Sequence, residues 1–347
     1  MIKKNLLALS LQELKAFVTE IGLKEYRTQQ IFAWIYQQYT GNIHEMTNLS
    51  IADRTSLFEK ATLQHLKIVT QQKSNDGTEK FLLELEDGNQ IESVLIPEDR
   101  RLTLCISTQA GCTLDCTFCR TAEEKLKKNL RYDEIINQVL TVQKQAPDRK
   151  ITHIVLMGMG EPLANLPAVT EALQRITSPL FFGISPRRIT VSTAGLVPQI
   201  REFLTGPTSA NLSISLNATT DAVRDQIMPK VNKLYPLGTL LSSLKKIPLP
   251  SRKKITFEYV LLRGINDSAE DARRLVRLAH GIRCKINLIP FNEFPQSPYR
   301  CPTDQTILTF QAILQKAGLI AMLRKNRGRD ILAACGQLRG DQPRPVC

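Results

Sequence analysis

The 347-residue sequence predicts an α/β protein, a partial (β/α)6 barrel preceded by an N-terminal helical domain and a short antiparallel β extension. Three observations support this fold class. Apolar residues recur at helical spacing over about the first sixty residues. Two short strand-like segments bounded by turn residues follow them. From residue 101 onward, six strand-length apolar segments alternate with segments of helix length, which indicates a parallel sheet or barrel.

The N-terminal domain is expected to contain three helices. The first has Ser10 as its N-cap and Glu13 three residues later, which predicts a capping box. Its apolar face consists of Leu6, Leu7, Leu11, Leu14, Phe17 and Val18. A second helix begins near Arg27, and a third spans residues 51–63. Aromatic residues between positions 26 and 39 suit a stripe in the core, with contact to RNA as the alternative. The sequence turns polar at Gln12 and lacks a cleavage-like site, which favours a helix over a signal peptide.

The β extension is expected to form two strands, over residues 81–86 and 90–96. The segments Asn75-Asp76-Gly77 and Asp87-Gly88-Asn89 lie where hairpin turns should be. We therefore expect a small antiparallel sheet ahead of the segment that is rich in cysteine.

The barrel strands are predicted over residues 102–107, 151–157, 188–192, 211–216, 255–262 and 284–289. Helices between and after them include residues 133–144, 166–176 and 268–280. Polar and glycine residues follow the strands at positions 158–161, 193–195, 217 and 292. Because parallel α/β folds carry their sites at the carboxyl ends of strands, these positions are candidates for ligand binding.

We divide the chain into four parts on this basis. Residues 1–62 form the helical domain, with RNA binding as a candidate role, and residues 63–100 form the β extension. Residues 101–300 form the barrel, and residues 301–347 form a C-terminal helix and tail.

The charge balance points to a polyanionic partner. The chain has 46 Lys and Arg against 33 Asp and Glu, a net charge of +13. Such an excess favours nucleic acid or an anionic membrane. No apolar run approaches the roughly 18 residues of a membrane span, and there is no obvious basic amphipathic anchor. Nucleic acid is therefore the favoured partner, with a merely basic protein as the alternative.

Cysteine usage indicates metal or redox chemistry. Eight cysteines in a chain of this length are too sparse for a disulfide scaffold, yet four fall within fifteen residues. Cys112, Cys116 and Cys119 form a Cys-x3-Cys-x2-Cys loop that can bind one soft metal centre, with Phe118 as a shield. A structural zinc would need a fourth tight ligand, and no histidine lies nearby. A [4Fe-4S] cluster accepts three thiolates when its fourth iron is left for another ligand, so the cluster is favoured over zinc.

This cysteine loop resembles the signature of the radical S-adenosylmethionine (radical SAM) enzymes. Seven segments in order are similar to the RlmN family of bacterial dual-specificity RNA (adenine-C2) methyltransferases. They are ESVLIP at 92–97, CIS and GC at 105–112, MGMGEP at 157–162, STAG at 192–195, SLN at 215–217, LIPFN at 288–292 and AACGQL at 333–338. The resemblance covers nearly the whole chain and implies a radical SAM barrel.

The resemblance implies two cofactors, a [4Fe-4S] cluster and S-adenosylmethionine, the latter used twice per turnover. Cys112, Cys116 and Cys119 would be the metal ligands. Reductive cleavage of S-adenosylmethionine on the fourth iron would yield a 5′-deoxyadenosyl radical. The substrates would be one adenosine in the peptidyl-transferase region of 23S rRNA and an adenosine beside the anticodon of some tRNAs.

The resemblance also implies three catalytic residues. Cys335 would be methylated first, because a thiolate accepts a methyl group where adenine C2 does not. The radical would remove hydrogen from that S-methyl group, and the resulting methylene radical would add to C2, linking RNA covalently to the protein. Cys105 would help to resolve the adduct and end in a transient disulfide with Cys335. Glu92 would be the proton acceptor.

The basic, glycine-bearing tail that carries Cys335 is expected to be a mobile arm. Cys284, Cys301 and Cys347 match no family role and are interpreted as structural or incidental.

The family comparison implies that Gly160 and Glu161 lie at the amino group of S-adenosylmethionine. The rest of the cofactor would be lined by Ser192, Ser215, Leu216, Asn217 and Asn292. Three positions depart from the family pattern, namely Arg120, Asn217 and Leu332. These departures leave the cluster ligands intact and bear on substrate preference and cofactor contacts.

The implied partners are 23S rRNA, tRNA and an electron donor such as flavodoxin, with no membrane, a monomeric state and a cytoplasmic location. Phosphate contacts are expected from basic residues outside the cysteine loop. These are Lys125, Lys127, Lys128, Arg131, Arg187, Arg188, Lys253 and Lys254. The target base must leave its stack, so loop or junction RNA is expected.

Three alternatives stay open at this point. A related adenine-C8 methyltransferase that confers antibiotic resistance shares the cysteines, although residues 229–233 and 287–295 look more like the C2 enzymes. A non-catalytic RNA-binding protein would hold a structural zinc. A radical enzyme acting on protein or on a small molecule would not depend on RNA.

Overall fold

The computed structural model describes residues 3–250 and 253–340. Its amino-terminal part contains the helices α1 Leu11–Glu20, α2 Arg27–Tyr36 and α3 Ile51–Lys60. The predicted capping box is confirmed, because the Glu13 amide donates to Ser10 Oγ (3.1 Å) and the Ser10 amide donates to the Glu13 carboxylate (2.7 Å). The third helix is shorter than predicted, since the chain turns into a two-residue strand after Lys60.

The aromatic residues of this part pack mainly inward. Phe32 and Tyr36 are buried on α2, and their rings lie 4.5 and 4.6 Å from the ring of Phe181, which follows the predicted helix 166–176. Tyr26 stays exposed. The core interpretation of the aromatic stripe is therefore confirmed at Tyr36, and the stripe joins the helices to the barrel.

The strands alternate with helices over the rest of the chain, as predicted. In chain order they are β1 Lys4–Asn5, β2 Ala61–Thr62, β3 Lys67–Lys73, β4 Glu79–Glu84, β5 Gln90–Glu98, β6 Arg101–Cys105, β7 Gln109–Ala110, β8 Lys128–Asn129, β9 His153–Leu156, β10 Ile189–Thr193, β11 Asn211–Ser215, β12 Ile255–Leu261, β13 Cys284–Pro290 and β14 Ala321–Leu323. The remaining helices are α4 Tyr132–Gln143, α5 Leu166–Thr177, α6 Val197–Thr205, α7 Asp221–Ile227, α8 Pro229–Leu234, α9 Leu237–Lys246, α10 Ala269–Ala279 and α11 Asp304–Lys316.

Ten strands form one continuous sheet, in the order β14-β13-β12-β11-β10-β9-β6-β5-β4-β3. All six predicted barrel strands are present and run parallel, and the short strand β14 adds a seventh that the sequence pattern did not reveal. The expectation of a separate small antiparallel sheet needs correction. Strand β5 pairs antiparallel with β6, so the β extension continues the barrel sheet.

The order of parallel strands brings several polar segments to one edge. Residues 158–161 follow β9, residues 194–195 follow β10, and Asn217 follows β11. The cysteine loop begins shortly after β6 and is flanked by the β7–β8 pair. Because the carboxyl ends of parallel strands share one edge, all of these segments meet there. Within the described ranges, no helix has the length and apolarity that crossing a membrane would require.

Candidate functional site

The three clustered cysteines lie in a loop that is held through its backbone. The Cys119 amide donates to the Cys116 carbonyl (3.0 Å), and the Cys112 amide donates to the Glu124 carbonyl (3.2 Å). The amide of Thr117 donates to the carbonyl of Ile227, at the end of α7, at 3.0 Å. One sulfur receives an amide directly, since Leu114 N donates to Cys112 Sγ at 3.4 Å. Amide donors of this kind are typical surroundings of metal-bound thiolates.

A cavity of about 970 Å³, measured with its open mouth, lies against this loop at the carboxyl ends of the parallel strands. We call it the upper cavity. Its lining includes all three clustered cysteines and Phe118, together with Gly160, Glu161, Ser192, Ser215, Asn217 and Asn292. Leu216, the remaining predicted cofactor residue, does not line it, because its side chain is fully buried in the core.

The turn after β9 requires glycine. Gly160 has φ +99°, a conformation that side chains other than glycine rarely adopt. A Cβ at this position would lie 2.5 Å from the Cβ of Gln109 and 2.9 Å from its amide nitrogen. The Gln109 side chain in turn accepts the Glu161 amide at 2.8 Å. The turn is thus packed against the strand that leads into the cysteine loop.

Glu161 presents a buried carboxylate to the upper cavity. One oxygen accepts the Leu163 amide at 3.0 Å, and the other accepts the Ala194 amide at 2.7 Å. Burial raises the pKa of Glu161 to about 7, although the amides of Ala194 and Leu163 oppose this rise. A fixed carboxylate of this kind can accept hydrogen bonds from an amino group.

Asn217 and Asn292 differ in whether other protein groups form hydrogen bonds with their side-chain oxygens. Asn217 has φ +56°, which asparagine tolerates better than most residues, and its side-chain oxygen accepts the Val260 amide at 2.9 Å. Asn292 donates to the Cys335 carbonyl at 3.1 Å. Its side-chain oxygen is buried and has no partner among the described residues. Buried polar atoms are normally paired, so this oxygen is suited to a ligand in the cavity.

The donor set fits a [4Fe-4S] cluster with an organic ligand on its fourth iron. In the described part of the chain, no three His, Cys, Asp or Glu side chains are grouped to hold a single metal ion. A cubane cluster asks for something different, one thiolate on each of three irons. Burial raises the pKa of all three thiols, that of Cys112 to about 12, so cluster binding, which needs thiolates, must be coupled to release of the three protons. Glu161 and Asn292 offer polar partners for the amino and hydroxyl groups of S-adenosylmethionine.

Cys335 lies where the upper cavity meets a second one, which we call the lower cavity. The lower cavity encloses about 1700 Å³, measured with its mouth, and also contains Cys105 in its lining. Cys105 ends strand β6 and is buried, which raises its pKa to about 12. The structure therefore brings the two predicted thiols to one cavity and places Cys335 beside the cluster loop as well.

Glu92 lies apart from both cavity linings. It is buried on β5 and forms an ion pair with Lys80 of β4 at 3.0 Å. Its other carboxylate oxygen accepts the backbone amides of Arg339 (2.7 Å) and Gly340 (3.3 Å). Lys80 also donates to the carbonyl of Leu332 at 3.3 Å. In this conformation Glu92 holds the segment that carries Cys335.

Two functional candidates escaped the sequence analysis. Arg324 borders both cavities, and the negative charge of a Cys335 thiolate raises its pKa. Glu258 is buried in β12, lines the upper cavity and accepts from Ser213 Oγ (3.0 Å) and Asn287 Nδ2 (2.6 Å). A carboxylate in an otherwise apolar strand is a signal that could have revealed Glu258. Arg324 has no such signal, because it sits in a run of basic residues.

The other cysteines lie elsewhere. Cys284 is buried at the start of β13, and Cys301 is partly buried ahead of α11; neither lines the upper or the lower cavity. Cys347 lies outside the described residues. Of the departures from the family pattern, Leu332 adopts φ +51°, and the amide of Arg120 donates to the Gly336 carbonyl at 2.8 Å, which ties the cysteine loop to the tail.

Comparison with known proteins gives concordant matches. Residues 4–63 match the family described as the ribosomal RNA large subunit methyltransferase N-terminal domain, and residues 106–276 match the radical SAM superfamily. The chain is 49% identical over 340 residues to the dual-specificity RNA methyltransferase RlmN of Geotalea uraniireducens, covering 98% of both chains. It is also 49% identical over 332 residues to the RlmN of Geobacter sulfurreducens, covering 96% of this chain and 91% of that one.

A solved structure is similar over almost the entire chain. The crystal structure of a radical SAM methyltransferase from Sphaerobacter thermophilus matches with a TM-score of 0.92 and 38% sequence identity. The match covers 97% of this chain and 100% of that one.

Proposed function

The chain belongs to the RlmN family of radical SAM RNA methyltransferases, and from this premise we propose that it methylates C2 of an adenosine in 23S rRNA and of an adenosine beside the anticodon of some tRNAs. The observation that carries the proposal is the position of Cys335. It borders the upper cavity, which contains the cluster cysteines, and the lower cavity, which contains Cys105. One thiol can therefore act in both places.

The cofactors of the enzyme are a [4Fe-4S] cluster and S-adenosylmethionine. We assign Cys112, Cys116 and Cys119 to the cluster, and Gly160, Glu161, Ser192, Ser215, Asn217 and Asn292 to S-adenosylmethionine. Leu216 is assigned to this set on the family resemblance alone, because its side chain is buried in the core and its amide donates to the backbone carbonyl of Glu258. When bound, the cluster and S-adenosylmethionine would together supply a strong carbon-centred oxidant. The unreactive C2 atom of adenine requires such an oxidant. Phe118, which lines the upper cavity beside the three cysteines, shields the site from water.

Three residues carry the proposed transfer. Cys335 accepts the methyl group and later carries the covalent link to RNA. Cys105 faces the same cavity and releases the product by forming a disulfide with Cys335, which a reductant then reopens. Glu92 accepts a proton once the tail segment at Arg339 and Gly340 leaves its carboxylate.

Several further assignments complete the proposal. The enzyme acts as a monomer in the cytoplasm, where rRNA and tRNA are found, and takes electrons from a donor such as flavodoxin. Residues 1–62 assist RNA binding, residues 63–100 form the β extension, residues 101–300 form the barrel, and residues 301–347 carry the methyl-accepting cysteine.

The test is anaerobic purification followed by reaction with an unmodified 23S rRNA fragment and labelled S-adenosylmethionine. We expect bound iron and sulfide, S-methylcysteine at position 335, and label at adenine C2 in the digested RNA. Mass spectrometry separates this outcome from methylation at C8. Zinc without sulfide, or release of deoxyadenosine without any labelled RNA, would contradict the proposal.

A further inference from the structure

We propose that the target RNA strand reaches the two thiols through the amino-terminal end of the barrel, where Arg187, Arg188 and Lys285 hold its phosphates. This inference rests on the proposed function and locates the substrate of that function. It assigns the upper cavity to the cofactors and the lower cavity to RNA.

The positions of the thiols select the lower cavity. Cys105 lines the lower cavity only, while Cys335 borders both cavities. In the proposed reaction the base is bonded to Cys335 and is then released through Cys105. The base must therefore lie where both sulfur atoms can reach it, which is the lower cavity.

The lining of the lower cavity agrees with this assignment. A base that is turned out of its stack is recognised by hydrogen bonds to its edges. Polar side chains that could contact a base line the same space, including Thr103, Thr190, Asn211 and Asn287.

Charge separates this end of the barrel from the other basic segments. Within the described residues, Arg187, Arg188 and Lys285 line the lower cavity and form no salt bridge. Among the residues that the structure describes, the lining of this cavity contains one carboxylate, that of Glu98, which is paired with Arg101 at 2.6 Å. Unpaired cations around an open mouth are suited to phosphate, which supplies most of the affinity for nucleic acid.

Three of the four predicted basic residues after the cysteine loop are paired with carboxylates instead. Lys127 pairs with Glu124 at 3.2 Å, and Lys128 pairs with Asp87 at 2.6 Å. Arg131 is bonded to Asp133 at 2.8 Å. Phosphate binding by these three residues would first have to break the pairs, so the structure favours the barrel end over the segment that follows the cysteine loop.

The register of the strands places the cations opposite the cysteine loop. Arg187 and Arg188 directly precede β10, and Lys285 is the second residue of β13. His153 is the first residue of β9 and lies in the same lining. Burial lowers the pKa of His153, and the positive charges of Arg101 and Arg188 lower it further. These charges make the electrostatic potential positive at this end of the barrel. RNA and cofactor thus approach Cys335 from opposite ends.

The binding test uses the cluster-loaded full chain and a fluorescent 23S rRNA fragment that contains the peptidyl-transferase loop. Arg187→Ala/Arg188→Ala is expected to weaken binding about tenfold or more. The slope of log affinity against log salt should fall by roughly 1 to 2, because each phosphate contact contributes about 0.7–0.9. The matched control is Arg273→Ala/Arg277→Ala, which removes the same charge from an exposed face of α10. Equal losses in both double variants, or an unchanged slope, would overturn the proposal.

A second variant tests the route itself. Thr190→Trp places a large ring in the lower cavity and leaves the upper cavity unchanged. We expect loss of RNA methylation with retained iron and retained S-methylation of Cys335, two readouts that also report a folded protein. Methylation of RNA at the wild-type rate would refute the route through the amino-terminal end. If the wild-type enzyme itself leaves the fragment unmethylated, the proposed function fails instead.

Discussion

Cys105 and Cys284 are buried thiols on two strands of one sheet, yet only Cys105 shares a cavity with Cys335. Burial raises their pKa values to about 12 and about 11, so both stay protonated at neutral pH. Without Cys105, the covalent protein–RNA adduct lacks its partner for release. Cys105→Ala is therefore expected to accumulate that adduct, which a denaturing gel detects as protein that migrates with labelled RNA.

Cys284→Ala is the matched control for this experiment. It removes a thiol of similar burial and pKa that lies outside both cavities, and it should give normal product without adduct. Normal product and free protein from Cys105→Ala would remove Cys105 from its assigned role.

A substitution at Gly160 measures how tightly the residues around the upper cavity are packed. A methyl group at this position would meet Gln109 at 2.5 Å and would strain a backbone at φ +99°. Strain of this kind costs about 1–2 kcal/mol and overpacking costs about 1–3 kcal/mol. Gly160→Ala should lower the free energy of unfolding by about 2–5 kcal/mol and weaken S-adenosylmethionine binding at least tenfold, as measured by calorimetry.

Gly264→Ala separates these two causes. Gly264 also has a positive φ, of 70°, but an added Cβ would meet nothing within 4 Å. The Gly264→Ala variant should lose only the stability that corresponds to backbone strain, and its affinity for S-adenosylmethionine should not change. Equal cofactor binding by both variants would show that the contact with Gln109 does not shape the cavity.

At the scale of elements, the tail from Gly328 to Gly340 is attached to the antiparallel strands by polar contacts. Asp330 accepts from Ser74 Oγ at 2.6 Å, and the Gly328 amide donates to Asp76 at 3.0 Å. Lys80 and Glu92 hold the backbone farther along the tail. The β extension is thus the support for the segment that carries Cys335.

Lys80→Met is expected to destabilise the protein by about 3–5 kcal/mol, because it leaves the buried Glu92 carboxylate without its cation. Chemical unfolding measures this loss. Hydrogen exchange should show faster exchange of the amides of Arg339 and Gly340, which Glu92 accepts in the wild type.

Lys67→Met provides the comparison for this variant. Lys67 of β3 pairs with Glu84 of β4 at 2.9 Å, also across neighbouring antiparallel strands, but its side chain is largely exposed. Exposed pairs contribute about 0–1 kcal/mol, so this variant should remain within that range. A loss of the same size in both variants would contradict a special role for the buried pair.

The sequence predicted elements better than it predicted their attachments. Periodicity is local, so it located the barrel strands and the helix capped by Ser10, and cysteine spacing indicated a candidate metal-binding loop. The pair of Asp330 with Ser74 joins residues 256 positions apart, and no local pattern contains such information. Arg324 was missed because its position between the two cavities also depends on distant contacts. Cys335 and Glu92 were predicted from the family resemblance and not from a local pattern.

At the scale of the whole molecule, His65 lies where three parts of the chain meet. Its Nε2 is 3.3 Å from the carbonyl of Thr40 after α2, and the neighbouring Leu66 amide donates to Thr141 of α4 at 3.1 Å. Burial, aided by the charge of Lys144, lowers the pKa of His65 to about 4. This junction joins the helical domain to the barrel and is sensitive to acid.

The direction of the pH effect follows from the lowered pKa. The unfolded chain binds a proton at His65 below about pH 6.5, whereas the folded chain does so only below about pH 4. The stabilisation is therefore complete above pH 6.5 and is lost as the pH falls to about 4, by up to about 3 kcal/mol. His65→Gln should flatten the free energy of unfolding over this range, measured by urea unfolding at several pH values. Parallel pH profiles for the variant and the wild type would exclude His65 as the source.

The attachment of the tail has a consequence for how the enzyme matures. Chains emerge from the ribosome amino terminus first, and folding follows that direction. The hairpin that binds the tail, at Ser74 and Asp76, precedes Cys335 by more than 250 residues. The hairpin is therefore synthesised well before the tail that binds to it. A nascent chain interrupted shortly before residue 328 would therefore hold Cys112, Cys116 and Cys119, the proposed cluster ligands, and yet lack Cys335, the proposed methyl acceptor. Under the proposed mechanism, methyl transfer then begins only after the final segment has been translated.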